Sequence, residues 1–128
     1  QGRWQSLGER PNVLCDTGHN AHGLAYVAEQ LRRSHEGGRL YCVVGFSGDK
    51  DIDAILALLP RDAYYLFTQA ASERALPVSE LAARAAAAGL DGEAVATVPE
   101  AVTRAKALAA PADTIFIGGS TFVVAEVL

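Results

Sequence analysis

The sequence predicts an α/β domain built on a mostly parallel sheet of about six strands. Three observations carry that prediction. Short apolar runs alternate along the chain with stretches of helical period. The segments between them are brief. Half of the 128 residues are apolar, enough to cover a sheet on both faces. Alternation of this kind implies βαβ units, with helices packed on either side of parallel strands. A domain of this length hides roughly 65–70% of the surface that its unfolded chain exposes.

The elements follow in order. Trp4–Leu7 reads as a short strand broken by Arg10-Pro11, and Asn12–Asp16 as a buried strand. Asn20–Arg33 carries Leu24, Val27, Ala28 and Leu31 at spacings of three and four, the period of an amphipathic helix, and Gly37-Gly38 ends it. Leu40–Phe46 is a continuous apolar run with β-branched and aromatic members, as expected of a strand covered on both faces. After the polar loop Ser47–Lys50, a short helix over Ile52–Leu59 is stopped by Pro60. Ala63–Thr68 is the next core strand. Pro77 and Ser79 open an Ala-rich helix over Val78–Ala88, with Leu81 and Ala85 inward, and Gly89 ends it. Ala94–Val98 is predicted as a short edge strand, and Pro99–Ala110 as a helix with Pro99 in its first turn. Thr114–Gly118 is the last core strand, and Gly118-Gly119-Ser120-Thr121 leads into a final helix over Phe122–Leu128. No internal repeat or interior linker interrupts the pattern, so residues 1–128 are expected to form a single domain.

Charge and cysteine usage narrow the function classes. A net charge of −4 with scattered Lys and Arg offers no basic stripe to neutralise phosphates, so no nucleic-acid partner is expected. Arg32-Arg33 falls near a helix end, where cations favour the helix dipole. Cys15 and Cys42 lie inside strand-like runs and lack metal-ligand spacing; they read as small core hydrophobes in a reducing, cytoplasmic setting. No run is long enough to cross a bilayer, and no membrane partner is expected. The chain contains no Met, and it is expected to derive from a longer protein at its N-terminal side.

In an open parallel sheet, ligands bind beyond the carboxyl ends of the strands. Four loops meet at that address: Asp16-Thr17-Gly18-His19-Asn20, Gly45 to Asp51, Thr68-Gln69, and Gly118-Gly119-Ser120-Thr121. In the first, Asp16 could accept hydrogen bonds from a ribose or hold a cation. Gly18 allows close backbone approach, and His19 and Asn20 stand where a helix begins and anions are favoured. A plain N-cap at Asn20 and a surface His19 is the competing reading. Asp49-Lys50-Asp51 reads as a solvated loop ahead of a helix or as part of the same site. Gly118-Gly119-Ser120-Thr121 fits an anion cradle or a tight turn with an N-cap. Arg74 is a solvated charge or a clamp for a carboxylate. Trp4 could anchor against the core or another domain, and His22 and His35 read as surface residues. No Gly-Lys-Ser/Thr phosphate loop and no Ser-His-Asp or Gly-x-Ser-x-Gly pattern occurs.

Five segments in register carry a family resemblance: Gly2-Arg3-Trp4-Gln5, Asp16 to Asn20, Gly48-Asp49-Lys50-Asp51-Ile52, Arg74-Ala75-Leu76, and Phe116 to Phe122. Over essentially its whole length the chain resembles the C-terminal domain of bacterial folylpolyglutamate synthase/dihydrofolate synthase, a relative of the Mur peptidoglycan ligases. The resemblance implies a Rossmann-like three-layer α/β/α fold. It also implies an ATP- and Mg²⁺-dependent ligase that phosphorylates a substrate carboxylate and lets L-glutamate attack the acyl phosphate on folate or dihydropteroate. The phosphate loop and the Mg²⁺ ligands would belong to an N-terminal ATPase domain, on which this domain closes as part of a monomer; alone it would be inactive. By the same resemblance Arg3 and Asp16 would hold ATP. His19, Ser120, Arg74 and Lys50 would position glutamate, supported by the loops at Gly18, Asn20, Gly118 and Gly119. Two positions depart from the family pattern: Ala21 stands where many relatives have Pro after the His-Asn pair, and Glu73 where Pro often precedes Arg-Ala-Leu. A Mur-type cell-wall ligase domain and a free-standing nucleotide-binding module are the alternatives.

Overall fold

The structure is a computed structural model that describes residues 5–8, 12–15, 39–48, 51–119 and 123. The predicted helices over 20–33 and 122–128 lie outside the described residues, apart from Val123. Six strands form one sheet: β1 (Gln5–Gly8), β2 (Asn12–Cys15), β3 (Leu40–Val44), β4 (Tyr64–Phe67), β5 (Asp91–Ala94) and β6 (Thr114–Gly118). Their order across the sheet is β1-β2-β6-β3-β4-β5. Only the β1–β2 pair is antiparallel, with a bulge between Ser6 and Gly8; the four remaining pairings are parallel. The expected six-stranded, mostly parallel sheet is therefore present.

Burial follows the two-residue period of the strands. Leu40, Cys42 and Val44 of β3, Tyr65 and Phe67 of β4, and Phe116 of β6 face one core. Tyr41 and Val43, Leu66, and Ile115 and Ile117 face the other. Helices α1 (Ile52–Leu58) and α2 (Val78–Ala87) cover the first core through Ile52, Ile55, Leu56, Leu81 and Ala85. Helix α3 (Val98–Leu108) covers the second through Val98, Ala101 and Ala105, beside Val123. Every residue of β3 and β6 is buried, which explains why those strands read as unbroken apolar runs. Cys42 is free and buried. Desolvation pushes its thiol well above the ordinary range, with the charge of Asp62 adding to the effect. This thiol is a packing group, as expected.

The helix ends follow from local chemistry. Asp51 caps α1, its carboxylate accepting from the Ala54 N–H at 3.3 Å, and the chain turns extended at Leu59 ahead of Pro60. Helix α2 has Pro77 at its N-cap, which offers no side-chain acceptor. Gln69 supplies one from a distance, its Oε1 accepting from the Val78 N–H at 2.7 Å. Gly89 ends this helix at φ +85°. Thr97 caps α3, accepting from the Glu100 N–H at 3.3 Å.

The edge strand departs from its prediction. It spans Asp91–Ala94 and not Ala94–Val98. Its outer side has no neighbour among the described strands, so it needs few apolar residues, and three of its four residues are exposed. The apolar Val95 and Val98 that suggested a strand pack on the α3-side core from the loop and the first helical residue. Gly92 has its own reason to be there. A Cβ at that position would lie 2.8 Å from the Phe67 ring and would also collide with the Tyr65 carbonyl. At the amino edge of the sheet, Asp113 ties two central strands together. Its carboxylate accepts from the Arg39 and Ala110 N–H groups, each at 2.7 Å.

Candidate functional site

The strands end in step at the carboxyl edge. Cys15 of β2 pairs with Ile117, Val44 of β3 with both Gly118 and Phe67, and Phe67 with Ala94. Backbone bonds continue the ladder just past the strands, from Thr68 N–H to the Val44 carbonyl at 2.9 Å and from Gly45 N–H to the Gly118 carbonyl at 3.4 Å. Strands β2, β3, β4 and β6 therefore end along one line, at Cys15, Val44, Phe67 and Gly118. In a parallel sheet this is the edge at which ligands bind.

Glycine is required at two points on this line. Gly119 holds φ +96°, and a Cβ there would lie 2.7 Å from both the Gly45 carbonyl oxygen and the Phe46 ring. Both the backbone conformation and the close contact forbid a side chain. At Gly45 a Cβ would meet the Thr68 carbonyl oxygen at 2.7 Å and the Val123 side chain at 3.1 Å. Gly45 and Gly119 thus bring the ends of β3, β4 and β6 into close backbone contact. Thr68 is fully buried, and its hydroxyl is the buried side-chain group without a hydrogen-bond partner among the described residues.

The loops after β3 and β4 are stitched together. Gly48 N–H donates to the Arg74 carbonyl at 2.7 Å, Leu76 N–H to the Phe46 carbonyl at 2.8 Å, and Ser47 bridges Ala75. Within the second loop a turn closes from Ala75 N–H to the Ser72 carbonyl at 3.1 Å. The Ser72 hydroxyl accepts from the Arg74 N–H at 3.2 Å. Arg74 is exposed, and among the described residues no ion pair or hydrogen bond engages its guanidinium. The structure therefore brings Arg74 and Gly118-Gly119 to the same edge of the sheet. Arg3, Asp16, Gly18, His19, Asn20, Lys50 and Ser120 lie outside the described residues.

Sequence reasoning missed a second polar cluster at the far end of β4. Tyr64 OH donates to Glu93 Oε1 at 2.7 Å, and Arg104 Nε donates to Glu93 Oε2 at 2.9 Å. The bonds from Arg104 and then Tyr64 hold the Glu93 carboxyl below the usual carboxylate range. The bond to Glu93 raises the Tyr64 phenol. The three residues come from β4, β5 and α3, with no local spacing to announce them. A shallow concavity beside Arg104 is lined by Pro99, Glu100, Thr103 and Ala107 of the same helix. It lies on the outer face of α3 and gathers no loops, so the carboxyl edge is the better candidate. Among the described residues no three His, Cys, Asp or Glu side chains come together as a metal site, and no helix is long and apolar enough to cross a membrane.

The fold and this edge define an open α/β domain whose strands end in step at the edge where such sheets bind ligands. Its kinship is specific: the chain belongs to the Mur ligase family, and the family described as Mur ligase, glutamate ligase domain matches residues 2–121. A dihydrofolate synthase/folylpolyglutamate synthase of Escherichia coli strain K12 is 30% identical over 129 residues, a match covering 99% of this chain and 29% of that protein. The structure of E. coli FolC in complex with DHPP and ADP superposes with a TM-score of 0.88 at 29% identity, covering 98% of this chain and 30% of that one. A bifunctional folylpolyglutamate synthase/dihydrofolate synthase with Mn, AMPPNP and L-glutamate bound gives 0.87 at 28% identity, over 98% of this chain and 30% of that one. The chain thus spans less than a third of the length of these relatives.

Proposed function

We propose that residues 1–128 act as one domain, the closing domain of an ATP-dependent ligase that attaches L-glutamate to a folate or to dihydropteroate. The observation that carries this reading is the alignment of strand ends. Strands β2, β3, β4 and β6, which carry or lead into four of the five segments that resemble the ligase family, end along one edge of the sheet. Their tasks are positioning and charge neutralisation, which are what transfer of a phosphoryl group chiefly requires. The partner would be an N-terminal ATPase domain of the same chain, within a cytoplasmic, monomeric enzyme. The free, buried Cys42 thiol suits a reducing compartment.

In this reading Arg3 reaches the phosphates of ATP, and Asp16 holds its ribose. His19, Ser120, Arg74 and Lys50 orient the incoming glutamate. The backbone at Gly118 and Gly119 and the loop residues Gly18 and Asn20 set the spacing between them. The left-handed backbone at Gly119 suits an oxyanion held by main-chain amides. Mg²⁺ would be held by the ATPase domain, as the family resemblance implies. The substrate carboxylate takes the γ-phosphoryl group of ATP, and the glutamate amine then displaces phosphate. Closure of this domain excludes water from the acyl phosphate.

The test is an assay of the chain by itself with ATP, dihydropteroate or a folate, and L-glutamate, followed by ADP release and product mass. We expect no turnover alone, and glutamate-dependent turnover by a full-length ligase that carries the chain. Turnover by the chain alone would sink the reading.

A further inference from the structure

We propose that Ser72 is a positioning residue for Arg74: its hydroxyl locks the turn that presents the guanidinium to an anionic group of the substrate. This rests on the reading of Arg74 as a substrate-facing residue. The backbone around Arg74 is tied on every side. Its own N–H is held by Ser72 Oγ and its carbonyl by the Gly48 N–H. The next two N–H groups bond to the Ser72 and Phe46 carbonyls. The side chain at the centre of this frame is exposed and has no partner among the described residues. A fixed backbone under a free guanidinium is the arrangement that lowers the ordering cost of binding. The ligand it suits is a pair of anionic oxygens, on a carboxylate or a phosphate.

The turn itself explains why Ser72 matters. Residues 72–75 form a turn closed from Ala75 N–H to the Ser72 carbonyl, with Ser72 in first place and Glu73 second. Ser at the first position restrains such a turn by accepting from the N–H two residues on. Pro at the second position does the same by fixing φ. Glu73 supplies no such restraint, so the Ser72 hydroxyl is the side-chain group that holds the turn at Arg74, beside its backbone bonds. The Glu73 N–H donates to nothing among the described residues, so Pro would cost no hydrogen bond there.

The experiment uses the full-length ligase with Arg74→Ala, Ser72→Ala, their combination, and Ser72→Ala with Glu73→Pro, measuring KM for L-glutamate and for ATP separately. We expect Arg74→Ala and Ser72→Ala to raise the same KM, the latter by about three- to tenfold, the effect of freeing one presented side chain. The combination should be no worse than Arg74→Ala alone, and Glu73→Pro should restore the Ser72→Ala enzyme. The KM that moves, glutamate or ATP, shows whether the anion is a carboxylate or a phosphate. If Arg74→Ala changes neither KM, the substrate-facing role of Arg74 fails and the proposal with it. If Arg74→Ala has its effect but Ser72→Ala has none, or the two effects simply multiply, the positioning role alone is overturned. A loss of thermal stability in Ser72→Ala with both KM values unchanged also overturns it.

Discussion

Gly119 shows how a single missing atom shapes the candidate site. Its φ of +96° lies where an L side chain is strained, and the Gly45 carbonyl and the Phe46 ring occupy the place a Cβ would take. Gly119→Ala therefore adds backbone strain to a steric clash, a combined cost of roughly 2–5 kcal/mol. At about 4 °C per kcal/mol for a domain of this length, the melting midpoint should fall by about 8 °C or more. If Ser120 orients glutamate as proposed, glutamate-dependent turnover by a full-length ligase that carries the chain should fall with it, because Ser120 follows directly in the sequence. A variant that melts with the wild type would show that the turn relaxes freely. The sequence presented Gly118-Gly119 as a turn or an anion cradle and could not separate the two, since the contact with Phe46 joins residues far apart in the chain. Gln69 stands at the end of a core strand, and its Oε1 caps α2 nine residues away. No spacing rule links a glutamine to a helix start across a loop, whereas Asp51 and Thr97 stand directly before the helices they cap.

The same contrast between near and distant partners holds for whole elements. Strands β3 and β6 were legible because both faces of each are buried, which forces continuous apolar runs. Strand β5 was misplaced because an edge strand carries no such demand. What fixes β5 is its pairing with β4 and the Tyr64–Glu93–Arg104 cluster, which joins it to β4 and α3. The Glu93 carboxyl has a lower pKa in the folded chain than unfolded. Its contribution to stability is therefore present above the unfolded carboxylate value, about pH 4.3, and is lost as the pH falls through the folded value. Glu93→Gln should be less stable than the wild type at neutral pH, and the gap should close as the pH is lowered from about 6 to about 3. Urea unfolding across that range reads the gap directly. A gap that stays constant would mean that the charge on Glu93 does not stabilise the edge.

At the scale of the whole molecule, a sheet with a core on each face, tied at its amino edge by Asp113, keeps the strand ends at the carboxyl edge in fixed relation. The domain architecture was readable from the alternation of apolar runs and helical periods; the site was readable only as four loops sharing an address. What such a domain contributes depends on how much of a nucleotide site it holds. If Arg3 and Asp16 contact ATP while the phosphate loop lies in another domain, the isolated chain should bind ATP with a Kd of about 1 mM, a free energy near 4 kcal/mol. Ligand present at its Kd stabilises the folded state by about 0.4 kcal/mol. At about 4 °C per kcal/mol, ATP at about 1 mM should raise the melting midpoint of the chain by no more than about 2 °C. A complete site filled with ligand at about 100 times its Kd gives about 2.7 kcal/mol, a shift of about 10 °C. The large shift is expected of the full-length ligase under the same conditions, and the small one of the chain alone. A shift of about 10 °C in the chain alone would show that it carries a self-sufficient nucleotide site, which a domain that only completes another domain's site cannot have.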